Sequence, residues 1–364
     1  MAEAPIATIL PPKEMFSPSA TGAIGLLVHA LARTLPGGTV YGMTTKRPFD
    51  DVAFTPVALP WRPLRQADRY AMGLVRALQR RPASLIEVHN RPDLALHLAD
   101  RFPQIPVMLF LHNDPQGMRR ARTEPERAAL VARLALVAPV SAYLAGRLPG
   151  SPNVQVFPNF IDRSAMPTAP REQLLLFAGR VVADKGADSF VQACALALPQ
   201  LPGWRAEMIG ADRFGADSPE TPFLAALRPR AEAAGVTLRG WQPHAQVLEA
   251  MARAAIVVVP SRWPEPFGLT ALEAMACGSA LLCAQSGGLA EVTQGAAIPI
   301  DPENQARIAA ELVRLARDPQ ARAALGAAGL ARAAAYDLPE AAARLAALRR
   351  SVLDAWPRRK TAPI

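Results

Sequence analysis

Residues Ala255–Val292 read AIVVVPSRWPEPFGLTALEAMACGSALLCAQSGGLAEV. The stretch opens on Ile256, Val257, Val258 and Val259, apolar without alternation and closed by Pro260. Such a run is a strand buried on both faces, as in a parallel sheet covered by helices. Pro266 and Gly268 follow, and they break any helix that would include Glu265. A helix is predicted to start near Phe267 to Leu269 and to end at Gly278, with a second apolar strand, ALLCA, directly after it. Apolar strands alternating with helices in this way indicate a parallel sheet covered on both faces.

The same alternation runs outward in both directions. PIATIL, LIEVH, VMLFLH, LALVAPVS and VQVFPN are strand-like, with helical stretches such as GLLVHALARTL and RPDLALHLADRF between some of them. After the Pro-rich break DRSAMPTAP the pattern restarts with QLLLFAGR, RAEMIGA and VTLRGW. The expected fold class is α/β: two doubly wound, Rossmann-like domains facing a cleft, with ligands at the carboxyl ends of the strands. The predicted domains are 1–165 and 166–342, and a last helix at about 343–364 is long enough to pack back on the first domain.

The 364 residues are half hydrophobic and one-fifth charged, a globular composition. Three cysteines show neither disulfide nor metal spacing and suit a reduced, cytoplasmic protein. The opening MAEAPIATILPPKEMF lacks the pattern of a secretory signal, and no apolar run is long enough to span a bilayer. The inner face of the cytoplasmic membrane is the other location this allows. The net charge is +9, and residues 1–165 carry 19 basic against 12 acidic side chains, most of the excess. Arginine-rich segments such as WRPLRQADRYAMGLVRALQRR fit solvated helices, an anionic substrate or an anionic membrane surface. They lack the aromatic interleaving of a nucleic-acid-binding module.

Two constellations carry candidate chemistry. LLLFAGRVVADKGADSFVQA reads strand, loop, helix, with Arg180 and Lys185 on the loop. Lys185 is one of only four lysines, against a background of arginine. Two cations there suit a diphosphate, although a solvated charged loop has the same composition. No Walker motif is present. Glu265, on the loop, and Glu273, about one turn inside the following helix, flank a helix start whose free N–H groups favour an anion. Two carboxylates suit two vicinal diols joined by a diphosphate, the outline of a sugar nucleotide. Glu265 as a helix cap and Glu273 as a surface helix former account for the same pattern.

The segment from Glu265 to Glu273 resembles the E-x7-E motif of retaining glycosyltransferases of family four, which have the GT-B fold. GRVVADKG, SGGLAEV and VQVFPNFID are similar to the family's diphosphate loop, its glycine-pair segment and the segment that ends its first domain. SATGAIGLLVHALAR resembles its first glycine loop, and EVHNRPDLALHLADRFPQIPVMLFLHNDP is similar to a bacterial lipopolysaccharide and spore-coat branch. The resemblance implies that Glu265 binds donor-sugar hydroxyls and that Phe267, Gly268 and Leu269 offer backbone N–H groups. It implies that Glu273 holds the ribose, and that Arg180 and Lys185 neutralise the leaving diphosphate. His112 would face the donor sugar across the cleft, and Gly22 would allow close backbone approach. The first loop departs from the family's usual pattern, with Thr21-Gly22 where paired glycines are frequent and Gly25 where a polar or acidic residue is common.

Other residues stay open between two readings. His89 and Asn90 end a strand either as lining of the acceptor side or as satisfied structural groups. Arg213 follows a strand and could approach the base or phosphates, and Trp241 is either base-pocket lining or a packed loop tryptophan. Asp50-Asp51 reads as a turn, not as a metal motif. The expected activity is transfer of a hexose from a nucleotide diphosphate sugar, most simply a UDP-sugar, to a glycan or lipid-linked acceptor, in lipopolysaccharide or exopolysaccharide synthesis. Configuration would be retained, without a metal or other cofactor. A catalytically silent nucleotide-sugar-binding scaffold is the alternative. A glycosidase using the two glutamates leaves the cationic loop unexplained.

Overall fold

The computed structural model describes residues 5–18, 21–212 and 220–361. Two compact units divide the chain. The first comprises the described residues up to Phe160 together with those from Leu338 onward, and the second is Ile161–Asp337.

The first unit contains β1 (Ile6–Ile9), α1 (Ala23–Thr34), β2 (Gly38–Gly42), β3 (Phe54–Pro56), α2 (Gln66–Arg80) and β4 (Leu85–His89). It continues through α3 (Pro92–Arg101), β5 (Val107–Leu111), α4 (Glu124–Arg133), β6 (Leu136–Pro139) and α5 (Ala142–Ala145). In the second unit lie β7 (Glu172–Ala178), α6 (Ala187–Ala197), β8 (Arg205–Ile209), α7 (Pro222–Ala233), β9 (Val236–Gly240), α8 (His244–Arg253) and β10 (Ala254–Val259). Then come α9 (Leu269–Ala276), β11 (Ala280–Ala284), α10 (Gly288–Thr293), β12 (Ile298–Ile300), α11 (Gln305–Arg317) and α12 (Pro319–Ala333). The last helix, α13 (Leu338–Thr361), belongs to the first unit.

Each unit is built on a six-stranded sheet, in the orders β3-β2-β1-β4-β5-β6 and β12-β11-β10-β7-β8-β9. All pairings are parallel. The two orders are the same topology, with switch points between β1 and β4 and between β7 and β10. A doubly wound sheet binds its ligands just beyond the carboxyl ends of the strands at such a point. The central strands show why the sequence folds this way: every residue of β4, β5, β10 and β11 is buried.

VQVFPN does not form the expected strand. Val154 makes an isolated bridge with Val137, and Phe157 donates its N–H to the Pro139 carbonyl at 2.9 Å. Pro139 and Pro158 each lack an N–H, so the ladder stops there. The short strands β2, β3 and β12 were not singled out by pattern. Asp50 and Asp51 lie in a bend, as expected, and Asp51 pairs with His29 at 2.7 Å and Arg33 at 3.1 Å.

One buried polar contact fixes α13. Arg349 grips Glu87 of β4 with both carboxylate oxygens at 2.8 and 2.9 Å, and Thr8 of β1 donates to the same carboxylate at 3.1 Å. Glu87 is 1% exposed, so losing the fork would leave a buried carboxylate without its cation. In the second unit the entering and leaving segments lie side by side: Ile161 donates to the Tyr336 carbonyl at 2.9 Å and bridges Asp337.

Candidate active site

The switch point of the second unit brings two loops together. The loop after β7 carries Arg180 and Lys185, and the loop after β10 carries Glu265. The carbonyl of Asp184 accepts N–H bonds from Arg262 at 2.9 Å and Trp263 at 3.0 Å, which stitches one loop to the other. Gly186 caps α6 in the left-handed region, at φ 68°. A Cβ there would stand 1.9 Å from the carbonyl oxygen of Pro260, so only glycine lets the loops close. Arg262 locks the junction from behind. It pairs with Asp188 at 2.6 Å, the Ser189 hydroxyl at 2.7 Å, the Ala183 carbonyl at 2.8 Å, and Glu303.

Within this frame Lys185 Nζ lies 2.5 Å from Glu265 Oε1, and the buried Ser261 hydroxyl donates to the same oxygen at 2.8 Å. The Glu265 side chain is 13% exposed and that of Lys185 24%. Cation and carboxylate therefore meet in a half-desolvated spot where the charge of either counts for more than in water. Arg180 stands on the same loop, half-buried.

The helix α9 starts beside them. Its N-cap, Gly268, has φ 110° and no side-chain cap; the Ala271 N–H turns back to the Gly268 carbonyl at 3.1 Å, and among the described residues no side chain caps the N–H groups before it. A Cβ on Gly268 would meet Leu289 Cδ2 at 2.5 Å. The glycine pair of SGGLAEV packs against the same turn. Gly288 donates to the Glu265 carbonyl at 2.7 Å, and a Cβ on Gly287 would fall 2.3 Å from that oxygen. The Phe267 side chain is buried edge-on against Tyr336, 5.6 Å between ring centroids, so Phe267, like Gly268 and Leu269, can offer a ligand only backbone. Glu273 sits one turn inside α9, 14% exposed, and His244 Nε2 at the start of α8 lies 2.7 Å from its Oε1. That contact raises the His244 pKa above its ordinary value, against the opposing effect of burial. Trp241 is half-buried on the loop between β9 and α8. Arg213 lies outside the described residues.

The first unit places its candidates differently. His89 ends β4 almost fully buried, stacked on Phe110, with Nδ1 3.0 Å from His112 Nε2. Burial pushes both imidazoles down to about 3, so this pair is neutral near pH 7. Asn90, at φ 58°, turns its Oδ1 to accept the N–H groups of His112 and Asn113, each at 3.1 Å. Its side chain is thus a brace between the ends of β4 and β5. At the start of α1, Glu14 Oε1 accepts from the N–H of Gly22 at 2.6 Å, of Gly25 at 3.1 Å and from the Thr21 hydroxyl at 3.3 Å. A Cβ on Gly25 would overlap Thr21 Oγ1 at 1.8 Å. The two departures of this loop are therefore one arrangement: Thr21 fills the space that Gly25 vacates, and Glu14 supplies the carboxylate at the helix start.

Three residues of the second-unit site escaped the sequence reading: Ser261, Arg262 and His244. His244 and Glu273 are 29 positions apart on different helices, and no local pattern signals such a pair. The three cysteines are buried, and burial raises each thiol, Cys277 to about 11. Among the described residues no cluster of three or more His, Cys, Asp or Glu could hold a metal, and no helix is long and apolar enough to cross a membrane.

Residues 160–332 match the family model for glycosyl transferases group 1. A D-inositol 3-phosphate glycosyltransferase from Segniliparus rotundus is 34% identical over 193 residues, covering 52% of this chain and 42% of that protein. The chain thus matches less than half the length of that relative. Sucrose-phosphate synthase from Thermosynechococcus elongatus has a TM-score of 0.79 at 20% identity, over 97% of this chain and 100% of the other. HepE from Anabaena, solved in complex with UDP-glucose, has a TM-score of 0.75 at 17% identity, over 96% and 100%. At these identities the likeness is one of fold: two doubly wound α/β domains, the GT-B architecture. The matched segment contains Arg180, Lys185, Glu265 and Glu273.

Proposed function

We propose that the chain is a retaining glycosyltransferase that moves a hexose from a nucleotide diphosphate sugar to a hydroxyl of a glycan or lipid-linked acceptor. The observation that carries this reading is the joining of the Lys185 loop to the Glu265 loop at the β7/β10 switch point, beside the uncapped start of α9. A diphosphate at that helix start is met by backbone N–H groups, by Lys185 and by Arg180. Glu265 accepts from donor-sugar hydroxyls and Glu273 from the ribose diol. UDP is the donor nucleotide favoured by the resemblance and by the fold neighbour solved with UDP-glucose.

The chemistry follows from charge. As the glycosidic bond breaks, negative charge builds on the departing diphosphate, and preorganised cations and N–H groups lower that barrier. These protein cations fill the role a metal plays in other transferases. Lys185 already faces Glu265 at 2.5 Å, so an arriving diphosphate competes with that carboxylate for the ammonium. On this reading the leaving phosphate oxygen assists deprotonation of the acceptor on the same face of the sugar, which retains configuration. Lys185→Ala should lower turnover by about 10²–10³-fold, the magnitude typical of one charge-stabilising donor, while the far-ultraviolet spectrum stays unchanged. Near-normal turnover at saturating donor would remove Lys185 from this role.

The first unit supports an acceptor that is anionic or membrane-borne. Trp61 is 94% exposed, and Arg62, Leu64 and Arg65 follow it at the entry to α2. An exposed indole followed closely by two arginines suits the headgroup region of an anionic bilayer. Sedimentation with phosphatidylglycerol vesicles at moderate salt should carry the chain down, and phosphatidylcholine vesicles should not. Equal behaviour in the two would refute the contact.

A further inference from the structure

The donor reading leaves one close contact unused. Glu273 has a half-enclosed carboxylate, and among the described residues its one partner is the His244 imidazole, 2.7 Å from Oε1. The two side chains come from neighbouring helices. His244 is the first residue of α8, directly after Pro243, and Glu273 stands one turn inside α9. The helices are also joined lower down, where Cys277 Sγ contacts the Leu248 carbonyl at 3.7 Å and the Ser279 hydroxyl donates to the Met251 carbonyl at 2.7 Å. The pair is therefore not what holds α8 to α9. His244 is itself half-exposed, so the contact faces solvent and not the core.

A lone carboxylate at the end of a glutamate side chain rotates broadly about its last torsion. A ring N–H on Oε1 restricts that rotation and leaves Oε2 and one lone pair of Oε1 without a partner among the described residues. Two unpaired acceptor positions at fixed spacing suit a cis diol, and their order is set before the ligand arrives. We propose that His244 is a positioning residue for ribose recognition: it orients the Glu273 carboxylate toward the 2′- and 3′-hydroxyls of the donor nucleotide. The inference rests on the donor reading above and extends it to a residue that does not itself touch the reacting atoms.

The test is equilibrium binding of two probes, UDP and 2′,3′-dideoxy-UDP, to the full chain by titration calorimetry. His244→Ala should weaken UDP binding roughly tenfold, the scale of one lost hydrogen bond to a charged group. It should leave dideoxy-UDP binding unchanged, because that probe has no diol to meet Glu273. Adding His244→Ala to Glu273→Ala should cost nothing further, since the two side chains act as one unit. His244→Gln, whose amide N–H can reach the same oxygen, should recover part of the loss. An equal loss for both probes would assign His244 to base binding or to packing and overturn the proposal. So would an unchanged affinity for UDP. A wild-type chain that binds neither UDP nor GDP fails at the donor reading itself, before His244 is reached.

Discussion

At the scale of single residues the second-unit site depends on glycines as much as on charges. Gly186 lets the cationic loop touch the Pro260 carbonyl, and Gly287 and Gly288 let the α10 turn lie against the Glu265 backbone. Gly186→Ala would combine a left-handed backbone with a 1.9 Å overlap against a backbone atom. It should lower stability by about 2–4 kcal/mol, read as a lower urea midpoint. Because the loop must swing away, it should also weaken UDP binding. A midpoint within error of wild type would mean that the two loops are not held this close. The charged residues of the site were legible in the sequence because they recur at motif spacing. The groups that hold them were not. Ser261 is an ordinary polar residue after a proline, and only the fold shows its hydroxyl on Glu265. His244 finds Glu273 through the packing of two helices that sequence pattern does not pair.

At the scale of elements, the parallel strands were readable because burial on both faces leaves no polar alternation. β10, AAIVVV, is buried at all six positions. The strands that pattern reading passed over are short or polar-edged: β3 is FTP and β12 is IPI. VQVFPN failed in the opposite direction, apolar enough for a strand but limited by Pro139 and Pro158. The start of α1 shows how a loop can depart from the pattern it resembles and stay self-consistent. Glu14 occupies the N–H groups that an external anion would use, and Thr21 occupies the space beside Gly25. Gly25→Ala alone should destabilise the first unit by about 1–3 kcal/mol, the usual cost of overpacking. Thr21→Gly combined with Gly25→Ala should recover most of that loss, because the 1.8 Å overlap is with the Thr21 hydroxyl. Thermal melts of the two variants decide it; equal destabilisation of both would show that Thr21 is not the obstacle.

At the scale of the molecule, one topology is used twice and the two switch points are equipped differently. In the first unit the switch point carries a neutral histidine pair, a bracing asparagine and a helix start already met by a carboxylate. In the second it carries a lysine, a half-buried arginine, two glutamates and an uncapped helix start. Under the proposed function, the second set is the one that meets a diphosphate between two diols. The reading as a nucleotide-sugar site stands or falls with the second. The most direct measurement is a thermal-shift panel of nucleoside diphosphates and nucleotide sugars on the wild-type chain and on Lys185→Ala. A ligand at about 100 times its dissociation constant stabilises the native state by about 2.7 kcal/mol, a shift of several degrees for domains of this size. We expect UDP and at least one UDP-sugar to raise the wild-type melting temperature by that amount and the Lys185→Ala temperature by much less. No shift with any nucleoside diphosphate, or the same shift in both proteins, would contradict a diphosphate held by Lys185 at the start of α9.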